Sequence, residues 1–446
     1  MAPLRGAPPL SAGTGPPPTD GLEMRLGRAG KGFAFLMSGT VAAQVISLLA
    51  LPLLSRLYAP ADFGVFSFVL AVTAVLAPIA GLRLETAAML PHDTTGVRAI
   101  VRACMTSILL FSCGTVVVIE VIRALGGIDD EVDFPYLGVW VGGLVLLTAL
   151  FSLMSQLALR DHHYQSVATR TLLQSSGTAV SQLGLGLVLR NAGGLLLGHA
   201  VGRAIGIIPL WRETRQYFGA VGADARRNVW REYWRFPAVF TPSALLNALG
   251  TQAPVIFVVA WFGVDAGGQV GMAERIVGLP LVLVGAAAGQ VLEAEVAKRL
   301  REGAQGLRSI YWRVSAMLGG LAAIAALGFG ILGGWIIPIL LGAQWQDAGT
   351  AVQIMAMAAG IRLVGSPLSK FILLYQRSLA NTVLDLIRVM LVGGAFAATM
   401  LLQLSLFPAL WLIYSALAFT YLITWVYGLV LTGHAPEELR LSQPRA

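Results

Sequence analysis

The stretch Phe33–Ser55, FAFLMSGTVAAQVISLLALPLLS, contains no charged residue and is closed at both ends by basic ones: Arg25, Arg28 and Lys31 before it, Arg56 after it. About 20 apolar residues rising 1.5 Å each are what a helix needs to cross a hydrocarbon core of roughly 30 Å. Runs of this kind recur along the whole chain, near 33–55, 63–88, 99–122, 136–159, 167–189, 193–211, 236–261, 266–292, 310–336, 349–375, 379–402 and 406–431. Lipid offers no water to backbone N–H and C=O groups, so a continuous apolar run folds as a helix that satisfies them internally. A membrane β-barrel shows short alternating segments instead. Bulk composition agrees. Of 446 residues, 56% are hydrophobic and 12% charged, and mean hydropathy is +0.74, too little charge to cover a water-soluble domain. The expected fold is an all-α integral membrane protein with about twelve transmembrane helices.

Residues 1–32 are rich in Pro and Gly, with Pro8-Pro9 and Pro16-Pro17-Pro18, and lack the apolar core of a cleaved signal peptide. They read as a disordered tail, held in the cytoplasm by Arg25, Arg28 and Lys31. With that orientation the outward loops hold only Arg56, Arg123 and Arg190 of the 31 Lys and Arg residues. The central inward segment alone carries Arg212, Arg215, Arg226, Arg227, Arg231 and Arg235, while one outward loop carries Asp129, Asp130, Glu131 and Asp133. Basic inward loops put both termini in the cytoplasm. They also account for the net charge of +8 without a nucleic-acid partner. Cys104 and Cys113 fall on opposite faces of one helix, cannot pair, and read as small buried residues. No histidine spacing suits a metal, and His162-His163 reads as a solvated pair on an inward loop.

The basic segment 212–235 divides the chain into an N-terminal six-helix lobe, 33–211, and a C-terminal one, 236–431, with a cytoplasmic tail at 432–446. The two halves show weak similarity. Leu57-Tyr58-Ala59-Pro60-Ala61-Asp62-Phe63-Gly64 aligns with Trp261-Phe262-Gly263-Val264-Asp265-Ala266-Gly267-Gly268. Each first span also holds a proline, Pro52 and Pro254, at nearly equivalent depth, where a lost hydrogen bond permits a bend; these are the candidate hinges. Two halves with an even number of spans share one orientation, so they are related by a pseudo-two-fold axis along the membrane normal, the plan of an alternating-access transporter.

An ionised group near the bilayer centre costs about 2.5–3.5 kcal/mol even on the lenient insertion scale, so charge at that depth implies a wet interior. Arg203 falls mid-way along the sixth span, Arg362 mid-way along the tenth, and Glu274-Arg275 well inside the eighth. Arg83 and Glu85 sit toward the inner end of the second span, and Asp385 with Arg388 reads as a local ion pair in the eleventh. Lys370 is shallow enough to snorkel. Neutral polar stripes run at helical spacing: Thr40, Gln44 and Ser47; Thr171, Ser175, Thr178 and Gln182; Ser243, Asn247 and Thr251. Hydroxyls and amides in such rows suit either sugars or helix packing. Gly198, Gly202 and Gly206 form a packing face of small residues.

Several motifs are specific enough to carry a resemblance. Leu51-Pro52-Leu53-Leu54-Ser55-Arg56-Leu57-Tyr58, with Pro60 and Asp62-Phe63-Gly64, resembles the start of the bacterial polysaccharide exporters. These include the O-antigen flippases, within the superfamily of multidrug, oligosaccharidyl-lipid and polysaccharide exporters. Gly81-Leu82-Arg83-Leu84-Glu85-Thr86-Ala87, Arg235-Phe236-Pro237, Arg275-Ile276-Val277-Gly278-Leu279-Pro280, Gly289-Gln290-Val291 and Leu341-Gly342-Ala343-Gln344-Trp345 continue the series in order. The chain departs at Glu274, where similar proteins often carry glutamine. The resemblance implies a non-enzymatic flippase in the bacterial inner membrane. Its cargo would be an undecaprenyl-pyrophosphate-linked oligosaccharide for O-antigen, capsule or exopolysaccharide, with other polysaccharide-assembly proteins as partners. Arg83, Arg203, Arg275 and Arg362 would face the diphosphate, while Asn247 and Gln44 would face the sugars. No cofactor is implied beyond an H+ or Na+ gradient, for which Glu85 and Glu274 are the candidate carriers. A cation-coupled drug exporter would want net acid in its cavity, a glycan polymerase or ligase a large outward domain, and an ATPase a phosphate-binding Gly-x-x-x-x-Gly-Lys loop the chain lacks.

Overall fold

A computed structural model describes residues 19–127, 134–161, 164–301, 306–369, 371–372 and 378–433. Asp129 to Asp133, His162-His163, Lys370, residues 1–18 and the tail from 434 lie outside the described residues. The helices are α1 (Thr19–Leu57), α2 (Pro60–Ala80), α3 (Leu84–Ala87), α4 (Thr94–Ala124), α5 (Leu137–Arg160), α6 (Tyr164–Gly186) and α7 (Ala192–Thr214). After these come α8 (Ala223–Glu232), α9 (Thr241–Arg301), α10 (Leu307–Leu341), α11 (Gln346–Leu368), α12 (Ser378–Leu401) and α13 (Leu406–Gly433). Ten helical stretches are long and apolar enough to cross a membrane. One of them, Phe236–Gly285, contains the non-helical Gly263 (φ 85°), so α9 is two spans, α9a (241–262) and α9b (264–301). The polar helix α6 supplies a further segment of crossing length. The expected twelve are thereby reached.

Local chemistry fixes the helix starts. Pro60 opens α2, with the Asp62 carboxylate accepting from the Ala59 amide at 3.0 Å. Asp93 caps α4 by accepting from Gly96 N at 2.7 Å, and Asn191 caps α7 through Gly194 N at 3.2 Å.

Four expectations need correction. Helix α1 starts at Thr19, so residues 19–32, expected to be disordered, are helical; Leu22 to Leu26 and Arg28-Ala29 are good helix formers that carry the helix past four glycines into the span. The second span does not reach 88. It ends at Ala80, because Leu82 (φ 51°) and Arg83 (φ 55°) adopt the left-handed region, at a cost of about 1–2 kcal/mol each for residues with a Cβ. Arg83 and Glu85 therefore lie in a turn and in the short α3, not in the membrane-spanning helix. The tenth span closes at Leu368 rather than 375, just after Pro367. Cys104 is buried but Cys113 is exposed on α4.

Equivalent helices in the two halves choose equivalent neighbours. α1 packs on α6 as α9a does on α12; α2 on α5 as α9b on α11; α5 on α7 as α11 on α13; α6 on α7 as α12 on α13; and α4 on α5 as α10 on α11. Each half is a six-helix lobe, with α4 and α10 at corresponding outer positions. Both prolines, Pro52 and Pro254, sit inside unbroken helix.

The lobes meet most closely where α2 crosses α9b. A Cβ on Gly64 would strike the carbonyl of Val264, and one on Gly268 would strike the carbonyl of Pro60. The alignment that sets Leu57 against Trp261 also sets Pro60 against Val264 and Gly64 against Gly268. The contact is thus reciprocal, as a two-fold axis through it demands.

Within the N-terminal lobe, Gly198, Gly202 and Gly206 let α7 lie directly on Gln182, Thr178 and Gln174 of α6. We expect Gly202→Leu, which drives a side chain into Thr178, to cost about 1–3 kcal/mol by overpacking. Purified in detergent, the variant should melt several degrees below the parent, while Gly320→Leu, at a site open on all sides, should not. Equal melting of the two would remove the packing role of this glycine face.

Candidate functional site

One end of the bundle is sealed between the lobes. The Ser55 carbonyl, at the end of α1, accepts from the Gln344 side chain and from Trp345 Nε1 (3.1 Å), and its hydroxyl donates to Leu341 O at 2.9 Å. Gln269 braces the far side, donating to Gln344 O (2.7 Å) and accepting from Ala348 N (2.9 Å). Phe63 meets the fully buried Trp345 edge-on, with ring centroids 5.2 Å apart. Two of the sequence motifs, around Ser55 and around Trp345, are therefore the two halves of one joint.

Toward the other end the lobes part around a cavity of about 610 Å³. Ala74, Pro78 and Arg83 form its wall from the N-terminal lobe. Opposite stand Ser243, Asn247 and Thr251, the whole polar stripe of α9a, with Asn381, Asp385 and Arg388 of α12. Arg388 bonds Asp385 at 3.2 Å and Asn247 Oδ1 at 3.0 Å, stacks over Tyr421 at 5.0 Å, and leaves its Nε without a partner. The Asp385–Arg388 ion pair expected from spacing is present, but it lines the cavity rather than a lipid-facing surface.

A second cavity, about 210 Å³, lies within the N-terminal lobe. Gln44 and Ser47 of α1 face Ser175, Thr178 and Gln182 of α6 across it, so two polar stripes meet on one space. Arg275 enters from α9b in the other lobe, its guanidinium 4.5 Å from the Phe66 ring centroid. His199 completes the lining and packs edge-on against Phe66. Arg203, one turn from His199 on α7, lies 4.9 Å over Phe151 and does not line the cavity; Arg170 covers the same ring at 4.4 Å. Nε of Arg170, Nε of Arg203 and Nε2 of His199 are buried without hydrogen-bond partners. Arg170 and His199 were not singled out from the sequence; Arg170 falls on α6 one residue before the Thr171 stripe, and that charge in a polar stripe was the available signal.

Glu274 and Arg275, adjacent in sequence, serve different lobes. Glu274 accepts from the Tyr414 hydroxyl at 2.6 Å and shares with Arg362 a small cavity of about 60 Å³ inside the C-terminal lobe. Glu85, outside the spanning helices, is 5% exposed and 3.5 Å from Arg83. Burial pushes its carboxyl above the usual carboxylate range, against the pull of the Arg83 guanidinium. Ion pairs join Arg83 to Glu85, Arg123 to Glu120, Arg299 to Glu295 and Arg388 to Asp385. None of them reaches Arg170, Arg203 or Arg275.

Comparison with known proteins places this arrangement. The polysaccharide biosynthesis protein family matches residues 53–350. The lipopolysaccharide biosynthesis protein WzxC of Escherichia coli is 21% identical over 143 residues, 32% of this chain but only 29% of that protein's length. Among solved structures, the lipid II flippase MurJ in an inward closed conformation superposes with a TM-score of 0.69 at 10% identity, covering 91% of this chain and 89% of that one. A MOP superfamily transporter from Pyrococcus furiosus gives 0.59 at 12% identity, covering 93% and 96%. The Vibrio cholerae MATE transporter VcmN gives 0.60 at 11%, covering 93% and 98%. The family match spans most of the two-lobe helical bundle, and the chain is a multi-pass membrane protein that belongs to the polysaccharide biosynthesis protein family.

Proposed function

We propose that this protein flips an oligosaccharide linked to undecaprenyl diphosphate from the inner to the outer leaflet of the bacterial cytoplasmic membrane, by alternating access. The observation that carries the reading is the row Arg170, Arg203, His199 and Arg275: half-buried basic side chains beside a polar cavity, none in an ion pair among the described residues, with a buried unpartnered nitrogen on each of the first three. Uncompensated charge at such depth is costly, and an anionic cargo supplies the missing partner through charge-assisted hydrogen bonds. A cationic drug would meet repulsion there. The amides and hydroxyls around the interlobe cavity suit sugar hydroxyls, each of which costs several kcal/mol to bury unpaired. With the N-terminus in the cytoplasm, as the basic inward loops favour, the interlobe cavity faces the cytoplasm and the Ser55–Trp345 joint faces outward. The state described is then the one that loads cargo. Pro52 and Pro254 remain the candidate hinges, and Glu274 and Glu85 the candidate carriers of a coupling H+ or Na+.

Three outcomes test this. A strain lacking the protein should accumulate lipid-linked glycan on the cytoplasmic leaflet, and restoring the gene should clear it; a deletion strain with no such accumulation would sink the reading. Arg275→Gln removes a charge-assisted bond of about 1.5–3 kcal/mol, so binding of undecaprenyl diphosphate to the purified protein should weaken roughly ten- to hundredfold. Unchanged affinity would exclude Arg275 from the site. Third, Gly64→Leu should wedge open the outward joint. In a background with both cysteines replaced by alanine, Thr251→Cys, midway along α9a, should become reactive to a membrane-impermeant maleimide added outside, and it should stay unreactive when Gly64 is intact.

A further inference from the structure

Helix α2 has different spaces on its two sides. Ala74 and Pro78 face the interlobe cavity, while Val72 and Leu76, half a turn away, face a groove of about 1070 Å³ between α2 and α4. At the end of the helix the split continues residue by residue: Leu82 lines the groove and Arg83 the cavity. The left-handed backbone at both positions makes this turn, held by Leu82 N to Ile79 O (2.9 Å) and Leu84 N to Gly81 O (3.0 Å). Two consecutive strained residues that are not glycine mark a place where the backbone is kept for a purpose.

The groove is built for hydrocarbon. Its hydroxyls are all satisfied by the protein itself: Thr106 donates to Arg102 O at 2.9 Å, Ser107 to Ala80 O at 2.8 Å, and Thr115 to Phe111 O at 2.9 Å. The remaining wall is almost wholly aliphatic, with Leu110 and Val118 exposed along it. Water gains nothing there, so an apolar chain must fill it. From Ala103 to Ile119 the groove follows α4 for about 24 Å at 1.5 Å per residue. That is deeper than one leaflet of a core roughly 30 Å thick, and so deeper than the acyl chain of a bilayer phospholipid reaches. At its foot stand Arg227 and Trp230 of α8, a cation and an interfacial aromatic. The acid nearest the junction, Glu85, is buried beneath Arg83, whose side chain is 38% exposed.

We propose that the cargo straddles the inner end of α2. On loading, its isoprenoid tail lies in the α2–α4 groove, its diphosphate crosses the Leu82–Arg83 turn between Arg227 and Arg83 before it passes on toward Arg275, and its sugars occupy the interlobe cavity. This rests on the flippase reading above and adds where the lipid goes. Tail and headgroup are then separated by a single turn of backbone, and the tail stays in an apolar groove while the headgroup moves.

The test uses photo-crosslinking in the full chain, in membranes of cells that make the lipid-linked glycan. Benzoylphenylalanine is placed at Leu110 or Val118 in the groove, at Asn247 in the cavity, and at the exposed Ile324 of α10 as a lipid-facing reference. Adducts are identified by mass spectrometry. Groove and cavity probes should both capture the polyprenyl-diphosphate glycan, with only phospholipid on Ile324, and Arg83→Gln with Arg227→Gln should lower groove capture several-fold. Cargo at Asn247 with only phospholipid at both groove probes overturns the proposal and leaves the flippase reading standing. Cargo at none of the probes overturns both.

Discussion

Two glycines without side chains let α2 and α9b touch backbone to backbone, and the rest of the molecule is arranged around that crossing. Gly64 and Gly268 make reciprocal contacts with Val264 and Pro60, so the axis relating the lobes passes through the joint itself. A symmetric joint near one end gives both lobes the same pivot. Three hydrogen bonds at Ser55 tie the lobes there. At about 0.5–1.5 kcal/mol net each, they hold the joint by a few kcal/mol. That is the size of gap a ligand's differential affinity can overcome. A joint locked by a large dry interface would not reopen, and one with no polar ties would not stay shut.

The lobes are symmetric in packing and unequal in charge. In the C-terminal lobe the ionised groups have company: Asp385 with Arg388, and Glu274 with Tyr414 and, across a small cavity, Arg362. In the N-terminal lobe Arg170 and Arg203 share the face of Phe151 and, among the described residues, are in no ion pair. A cation over an aromatic ring gains about 0.5–2 kcal/mol, which offsets only part of the cost of a buried charge. Pairing would have been the stable solution. On the proposed reading this inequality belongs to a lobe that waits for an anion, and Arg275, reaching in from α9b, would let the other lobe sense its arrival.

Much of this was legible in the sequence. Apolar run length gave the crossing segments, because lipid leaves the backbone no other conformation. Polar stripes at helical spacing located the walls of two cavities: Ser243, Asn247 and Thr251 share one, and Gln44 meets Ser175 and Thr178 in the other. The short alignment of Leu57–Gly64 with Trp261–Gly268 located the axis. What stayed hidden depends on register between helices far apart in the chain. Nothing in the order Glu274-Arg275 says that one side chain stays in its lobe while the next crosses to the other. Arg203 reads as mid-membrane charge, yet one residue's rotation about α7 decides between a cavity and Phe151. The left-handed turn at Leu82-Arg83 was not read from the sequence, although Gly81 beside it caps α2, because a positive φ is expected at glycine rather than at leucine or arginine.

On the proposed reading, that break makes α2, rather than a more basic helix, the element on which transport turns. Its first turn carries Gly64 of the joint, its middle divides the polar cavity from the apolar groove, and its last turn gives way to the Leu82–Arg83 bend. Any rocking that separates Gly64 from α9b must tilt the wall shared by cavity and groove, since one continuous helix from Pro60 to Ala80 connects them. A cargo lying on both sides of that wall, as proposed, would be moved by the same displacement that opens the joint. Headgroup passage and outward opening would then be coupled through helix stiffness, with no separate signal between them.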